Sequence, residues 1–135
     1  MSSIRAIDLF CGTGGLSLGL QQAGIEVVAG IDLEPRCKYP YEHNLKATFI
    51  ESSVTDVTAE TLNRLWGEGT LRLLAGCAPC QPFSSQRRGK DPSEDKNWRL
   101  LDEFGRLVRE TRPDYVTMEN VPRLARDLMF ESFVR

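Results

Sequence analysis

Short runs of apolar and β-branched residues alternate with segments of helical spacing along almost the whole chain, and this alternation restricts the fold more than any other feature. Residues 4 to 10, IRAIDLF, form a strand-length run that stops at glycines, and LSLGLQQAG then carries apolar residues at helical spacing to a stop at Gly24. IEVVAGID is a second strand ending on an acid. Pro35 suits the first turn of a helix directed toward His43, which Pro40 would kink or shorten. ATFIES is a weak third strand. Thr55 or Asp56 stands where it could cap the helix AETLNRLW, and TLRLLAGC is the fourth strand. LLDEFGRLVRE restores helical spacing, PDYVTMEN is a fifth strand, and LARDLMFESFV begins another helix. Repeated strand and helix units bury their apolar faces as a mostly parallel sheet joined by right-handed crossovers. The expected class is therefore α/β, doubly wound.

At 135 residues the chain has room for one core, and 41% hydrophobic with 27% charged residues is ordinary globular usage, which excludes a disordered or fibrous polymer. MSSIRAIDLF lacks the apolar block of a signal peptide, and no segment approaches the roughly 20 apolar residues that span a bilayer. A soluble, intracellular protein is expected, cytoplasmic if bacterial. Its four cysteines, Cys11, Cys37, Cys77 and Cys80, are then expected to be reduced. The net charge of −2 gives no global sign of nucleic-acid binding, so any phosphate contact has to be local.

In the turn FCGTGG, Gly12, Gly14 and Gly15 allow the backbone to approach a ligand closely between the first strand and the first helix. The spacing departs from the dinucleotide fingerprint, because Ser17 stands in the third glycine's place. Asp32 ends the second strand about twenty residues on, where an acid can accept hydrogen bonds from both ribose hydroxyls. Asp56 is placed to meet an adenine amino group or, equally well by spacing, to cap a helix.

GCAPCQPFS sets Cys77 and Cys80 three positions apart around Pro79. A metal clip, a redox pair and a single reactive thiol all use such a spacing. Zinc wants a second close pair of ligands, yet Cys11, Cys37 and the only histidine, His43, are scattered, and no metal is expected. A redox pair would use Cys77 as the resolving thiol but leaves the glycine turn and Glu119 without a role. Cys11 and Cys37 read as packed small hydrophobes. The run from Ser84 to Trp98 is the longest loop, and loops of that length in a compact domain are usually functional or disordered.

DLFCGTGGLSLGL, then IDLEP, DV, GCAPCQPFS and MENVP, in this order and at these intervals, resemble the cytosine-5 DNA methyltransferases. The resemblance covers residues 8 to about 124. It implies a Rossmann-like methyltransferase sheet, S-adenosylmethionine as cofactor and double-stranded DNA as partner. Phe10, Gly12, Thr13, Gly14, Gly15 and Leu16 would hold the methionine and the adenosine, Asp32 the ribose, Leu33 a face of the adenine, and Asp56 with Val57 its edge. Cys80 would be the nucleophile that adds to carbon 6 of cytosine, and Cys77 would not. Glu119 would hydrogen-bond the exocyclic amine and ring nitrogen 3, with Asn120 and Val121 positioning it. The base has to swing out of the duplex to be reached. Pro79 would fix the backbone before Cys80, Gln81 and Ser84 would help at the base or the backbone, and Arg87, Arg88 and Lys90 would grip phosphates from a mobile lid.

The same resemblance implies more sheet than is found here: an arginine-bearing strand motif, a target-recognition region and a returning carboxy-terminal helix do not follow. Residues 1–135 are expected to be the amino-terminal portion of a cofactor-binding catalytic domain, with five of the expected strands, inactive alone, and self-associating or completed by a complementary chain. A tRNA cytosine methyltransferase, a non-catalytic scaffold and a dithiol oxidoreductase are the competing expectations.

Overall fold

The computed structural model describes residues 3–78 and 96–119, with the side chains of the latter segment described from residue 99 onward. Five strands, β1 (Ile4–Leu9), β2 (Glu26–Asp32), β3 (Thr48–Glu51), β4 (Leu71–Gly76) and β5 (Tyr115–Met118), form one sheet in the order β3-β2-β1-β4-β5. Every pairing is parallel. The helices are α1 (Gly15–Gln22), α2 (Lys38–Leu45), α3 (Ala59–Trp66) and α4 (Lys96–Thr111). This is the doubly wound α/β sheet expected from the alternation.

Helices cover both faces. Leu62 and Trp66 of α3 join Phe104 and Leu107 of α4 against Ile7, Leu9, Ile31 and Leu74. Tyr41 and Leu45 of α2, with Leu20 of α1, pack on the other face against Ala6, Val27, Phe49 and Leu73. Val27 and Ile31 are four residues apart, a spacing that normally shares a face, yet they belong to opposite cores. The reason is a bulge: Ala6 pairs with Val27 and Ile7 with Ala29, which leaves Val28 as an extra residue and inverts the alternation beyond it.

The first crossovers run from β1 outward to β3, and the next returns past β1 to β4. The direction of winding therefore reverses between β1 and β4, and a crevice opens beyond the carboxyl ends of those strands, where such sheets bind ligands.

Three local expectations are corrected. Pro40 neither kinks nor shortens a helix. A short 3-10 turn, Pro35–Cys37, precedes α2, and Pro40 lies in the first turn of α2, where its missing N–H has no partner to lose. The cap of α3 is Thr58, whose Oγ1 accepts from the Thr61 N–H at 3.2 Å, and neither Thr55 nor Asp56 fills that role. Both of these lie in or at a 3-10 turn, Val54–Asp56, one step earlier. The long loop does not reach Trp98, because α4 begins at Lys96. The helix expected from residue 124 onward lies outside the described residues.

Candidate functional site

The carboxyl ends of β1, β2, β3 and β4 deliver the site. After β1 the chain turns through Phe10, Gly12 and Gly14, at φ angles of 57°, 55° and 105°, so that left-handed residues alternate with ordinary ones. For a phenylalanine this conformation is unusual and costs free energy that the surrounding contacts must offset. The Cys11 N–H donates to the Ile31 carbonyl at 3.1 Å and the Gly14 N–H to the Cys11 carbonyl at 3.0 Å, which ties the turn to β2. Gly14 is buried at the start of α1, and Gly12 and Leu16 are half-buried, while Thr13 and Gly15 are exposed.

Asp32 fixes the turn from the end of β2. Its Oδ2 accepts the Gly12 N–H at 2.9 Å and its Oδ1 accepts the Glu34 N–H at 2.9 Å. Each oxygen keeps a further lone pair, so the carboxylate can accept again from a ligand. Beside it opens a cavity of about 270 Å³ lined by Phe10, Asp32, Leu33, Ser52, Ser53, Val54, Cys77 and Leu100. Leu33 is 66% exposed there, an apolar surface available to a flat ligand.

Of the residues named from the sequence, Phe10, Asp32 and Leu33 meet at this cavity, and Gly12 bonds to its carboxylate. Asp56 and Val57 do not line it. Asp56 is exposed on the 3-10 turn, and the Val57 side chain is buried in the core, with its N–H given to the Val54 carbonyl at 3.2 Å. Glu119 follows β5 directly, exposed, and its N–H donates to the Gly76 carbonyl at 3.0 Å, which brings it beside the end of β4. Pro79, Cys80, Gln81, Ser84, Arg87, Arg88, Lys90, Asn120 and Val121 lie outside the described residues.

Ser52, Ser53, Val54 and Leu100 went unnoticed in the sequence. The serines follow β3 directly, so the rule that ligands sit beyond strand carboxyl ends would have found them. Leu100 carries no such signal, because only the docking of α4 brings it to the cavity.

Beneath the turn, Ser17 has a role that its departure from the glycine pattern only hinted at. Its hydroxyl donates to Asp8 Oδ2 at 2.7 Å and meets the Tyr41 hydroxyl at 2.9 Å, with all three side chains fully buried. The other carboxylate oxygen, Oδ1, is buried with no partner among the described residues. Burial is the main cause that raises the Asp8 carboxyl from 3.8 to about 6; the Ser17 bond opposes it and the Asp32 charge adds to it. Burial, together with the charges of Asp8 and Asp32, also pushes the Cys11 thiol up, so Cys11 is a packed thiol and not a thiolate.

A raised carboxyl pKa means that the folded chain keeps a proton which the unfolded chain releases. The contribution of Asp8 is fully present below about pH 4 and is lost as pH rises through about 6, a change on the order of 3 kcal/mol. Asp8→Asn should flatten that stretch of a plot of urea midpoint against pH. The slope is the readout, since the amide also buries an unmatched donor. An unchanged slope between pH 4 and 7 would count against a buried, proton-retaining Asp8.

The family of C-5 cytosine-specific DNA methylases matches residues 4–131. The type II methylase M.HgiDII of Herpetosiphon aurantiacus is 46% identical over 132 residues, covering 96% of this chain and 37% of that relative. M.XorII, a type II methyltransferase of Xanthomonas oryzae pv. oryzae, is 40% identical over 121 residues, 87% of this chain and 28% of its own length. The chain thus spans about a third of these relatives. A solved prophage-encoded E. coli chain, assigned as a DNA modification methyltransferase, superposes with a TM-score of 0.78 at 28% identity, over 98% of this chain and 36% of that one. The glycine turn held by Asp32, the five-stranded parallel sheet and a match to nearly every residue agree, and the chain belongs to the C-5 cytosine-specific DNA methylase family.

Proposed function

We propose that this chain is the amino-terminal, cofactor-binding portion of an enzyme that methylates carbon 5 of cytosine in double-stranded DNA, acting inside the cell as a type II modification methylase. The observation that supports this most is the Asp32 carboxylate, held by two backbone N–H groups at the rim of a cavity that adjoins the glycine turn.

The residues present fit S-adenosylmethionine. Phe10, Leu33, Val54 and Leu100 offer apolar walls for an adenine, and Asp32 keeps acceptor capacity for two ribose hydroxyls. The exposed Thr13 and Gly15 of the turn offer backbone to an amino-acid tail, and we assign the adenine amine to Asp56, exposed at the end of the 3-10 turn that begins with Val54. When bound, the cofactor supplies an electrophilic methyl group. The remaining work belongs to the chain. The Cys80 thiolate adds to carbon 6 of a flipped cytosine, which makes carbon 5 nucleophilic, and loss of the carbon 5 proton later expels the sulfur. Glu119 hydrogen-bonds the exocyclic amine and nitrogen 3 as negative charge builds on the ring. Pro79, Gln81, Ser84 and Asn120 shape the pocket around the base, and Arg87 with Arg88 contacts phosphates.

M.HgiDII and M.XorII are about three times as long as this chain, and β5 is one of the two outer strands of the described sheet, with Tyr115 and Val116 exposed at 51% and 43%. An uncovered apolar edge of this kind favours pairing with another chain. We place the complement that completes the enzyme there, with self-association as the outcome when it is missing.

Binding of S-adenosylhomocysteine, followed by titration calorimetry, tests the cofactor reading. Asp32→Asn removes one acceptor and the charge, and should weaken binding by about 10- to 100-fold, the worth of one or two charge-assisted hydrogen bonds. Equal affinity in the variant would remove Asp32 from the site.

A further inference from the structure

We propose that Arg106 is a positioning residue for the cofactor, acting through the loop that follows β3; this rests on the cofactor reading above. That loop contributes Ser52, Ser53 and Val54 to the cavity and carries Asp56 and Val57 behind them. It leaves a four-residue strand at the edge of the sheet, so little regular pairing fixes its position.

Beside the burial of Val54 and Val57 and the Ser52 N–H bond to the Asp32 carbonyl at 3.0 Å, Arg106 adds a constraint from α4. Its Nη2 donates to the Val57 carbonyl at 2.9 Å and the Val54 carbonyl at 3.3 Å, bracketing the 3-10 turn at both ends. The rest of the guanidinium is fixed from its own helix: Nε bonds to Glu103, one turn before, and Nη1 to Glu110, one turn after, at 3.2 Å. Two carboxylates thus neutralise and aim one planar fork, and its remaining edge is spent on the Val57 carbonyl and on the Val54 carbonyl, which also accepts the Val57 N–H at 3.2 Å. Only arginine has this shape, since a lysine ammonium is a point donor without a fork. The same helix brings Leu100 to the cavity wall, so Arg106 holds two walls of one pocket in register.

The test is S-adenosylhomocysteine binding to the 135-residue chain, with circular dichroism melts on every variant. Arg106→Ala should bind about 10-fold more weakly, the worth of one to two hydrogen bonds to a charged group. Millimolar guanidinium, too dilute to denature, should restore several-fold of that loss and leave the wild type unaffected. Arg106→Lys should keep its ellipticity and lose about threefold, because one carbonyl can still be reached. Equal affinity in Arg106→Ala and wild type overturns the proposal, and so does a loss that guanidinium does not repair. If Arg106→Ala fails to fold, Arg106→Lys decides alone, with wild-type affinity as the overturning result. A wild-type chain that binds no S-adenosylhomocysteine removes the cofactor reading itself, and this proposal with it.

Discussion

Gly30→Ala and Gly14→Ala are each expected to destabilise the chain by about 3 kcal/mol, a fall of roughly 10 °C in Tm for a domain of this size. Tyr41 is the cause. Its ring is fully buried and wedged between the glycine turn and the middle of β2. A Cβ on Gly30 would collide with the Cζ and hydroxyl of Tyr41 and stand 2.8 Å from Cys11 Sγ. A Cβ on Gly14 would collide with Leu45 Cδ1 and stand 3.0 Å from Tyr41 Cδ2. Neither obstacle has room to move: Leu45 and Tyr41 are both buried in the core. Tyr41 cannot swing away without breaking its 2.9 Å contact with Ser17, and that serine is committed to Asp8. At Gly14 the backbone adds its own penalty, because φ is 105° and a side chain there is strained whatever the space. Gly19→Ala is the control: a Cβ there meets nothing within 4 Å among the described residues, and a helix interior gains about 0.5–1 kcal/mol from the exchange. Urea midpoints of the three variants check the ranking, and a Gly30→Ala midpoint at or above wild type would refute the wedge.

The same wedge explains what the sequence could and could not reveal. The strands β1, β2 and β4 announce themselves as apolar runs because both faces of the central sheet are covered, and the order of strand and helix then leaves few topologies. Asp32 was legible too, since its place depends only on its distance beyond the glycine turn along one strand and one helix. Ser17 was visible as an irregularity without a meaning. Its bond to Asp8 depends on β1, and its contact with Tyr41 on the way α2 crosses the sheet, so no local window contains both. The misplaced cap has a local cause. In SSVTDVTAETL several hydroxyl and acid residues could start a helix, and the 3-10 turn Val54–Asp56 spends the first of them before Thr58 begins α3. In the sequence Leu100 and Arg106 stand out only as parts of an amphipathic helix. Their partners lie about fifty residues earlier, and periodicity along one helix says which face is buried but not what it meets.

The largest functional effect should fall on one of two cysteines three residues apart, and the structure makes the choice between them a real one. Cys77 follows β4 directly, is exposed, and lines the cavity with Asp32 and Phe10. Its N–H also donates to the Leu9 carbonyl at 3.4 Å, so its position is tied to the strand that opens the glycine turn. On geometry alone Cys77 is therefore a rival nucleophile, and a dithiol mechanism would need it as well as Cys80. Base methylation needs one sulfur that can add to a ring and leave again. A duplex carrying 5-fluorocytosine separates these cases, because fluorine cannot depart as a proton does, and the sulfur remains bonded to the base after methyl transfer. The preparation is this chain complemented by the part of M.HgiDII that lies outside the match. We expect wild type and Cys77→Ser to give the same covalent band, dependent on S-adenosylmethionine. Cys80→Ser should give none, with methyl transfer down by on the order of 10⁴-fold or more, as when a nucleophile is removed. Glu119→Gln should slow the band without abolishing it, since the amide still reaches the ring but cannot offset charge at nitrogen 3. A band lost in Cys77→Ser and kept in Cys80→Ser would hand the nucleophile to the thiol already seen at the cavity.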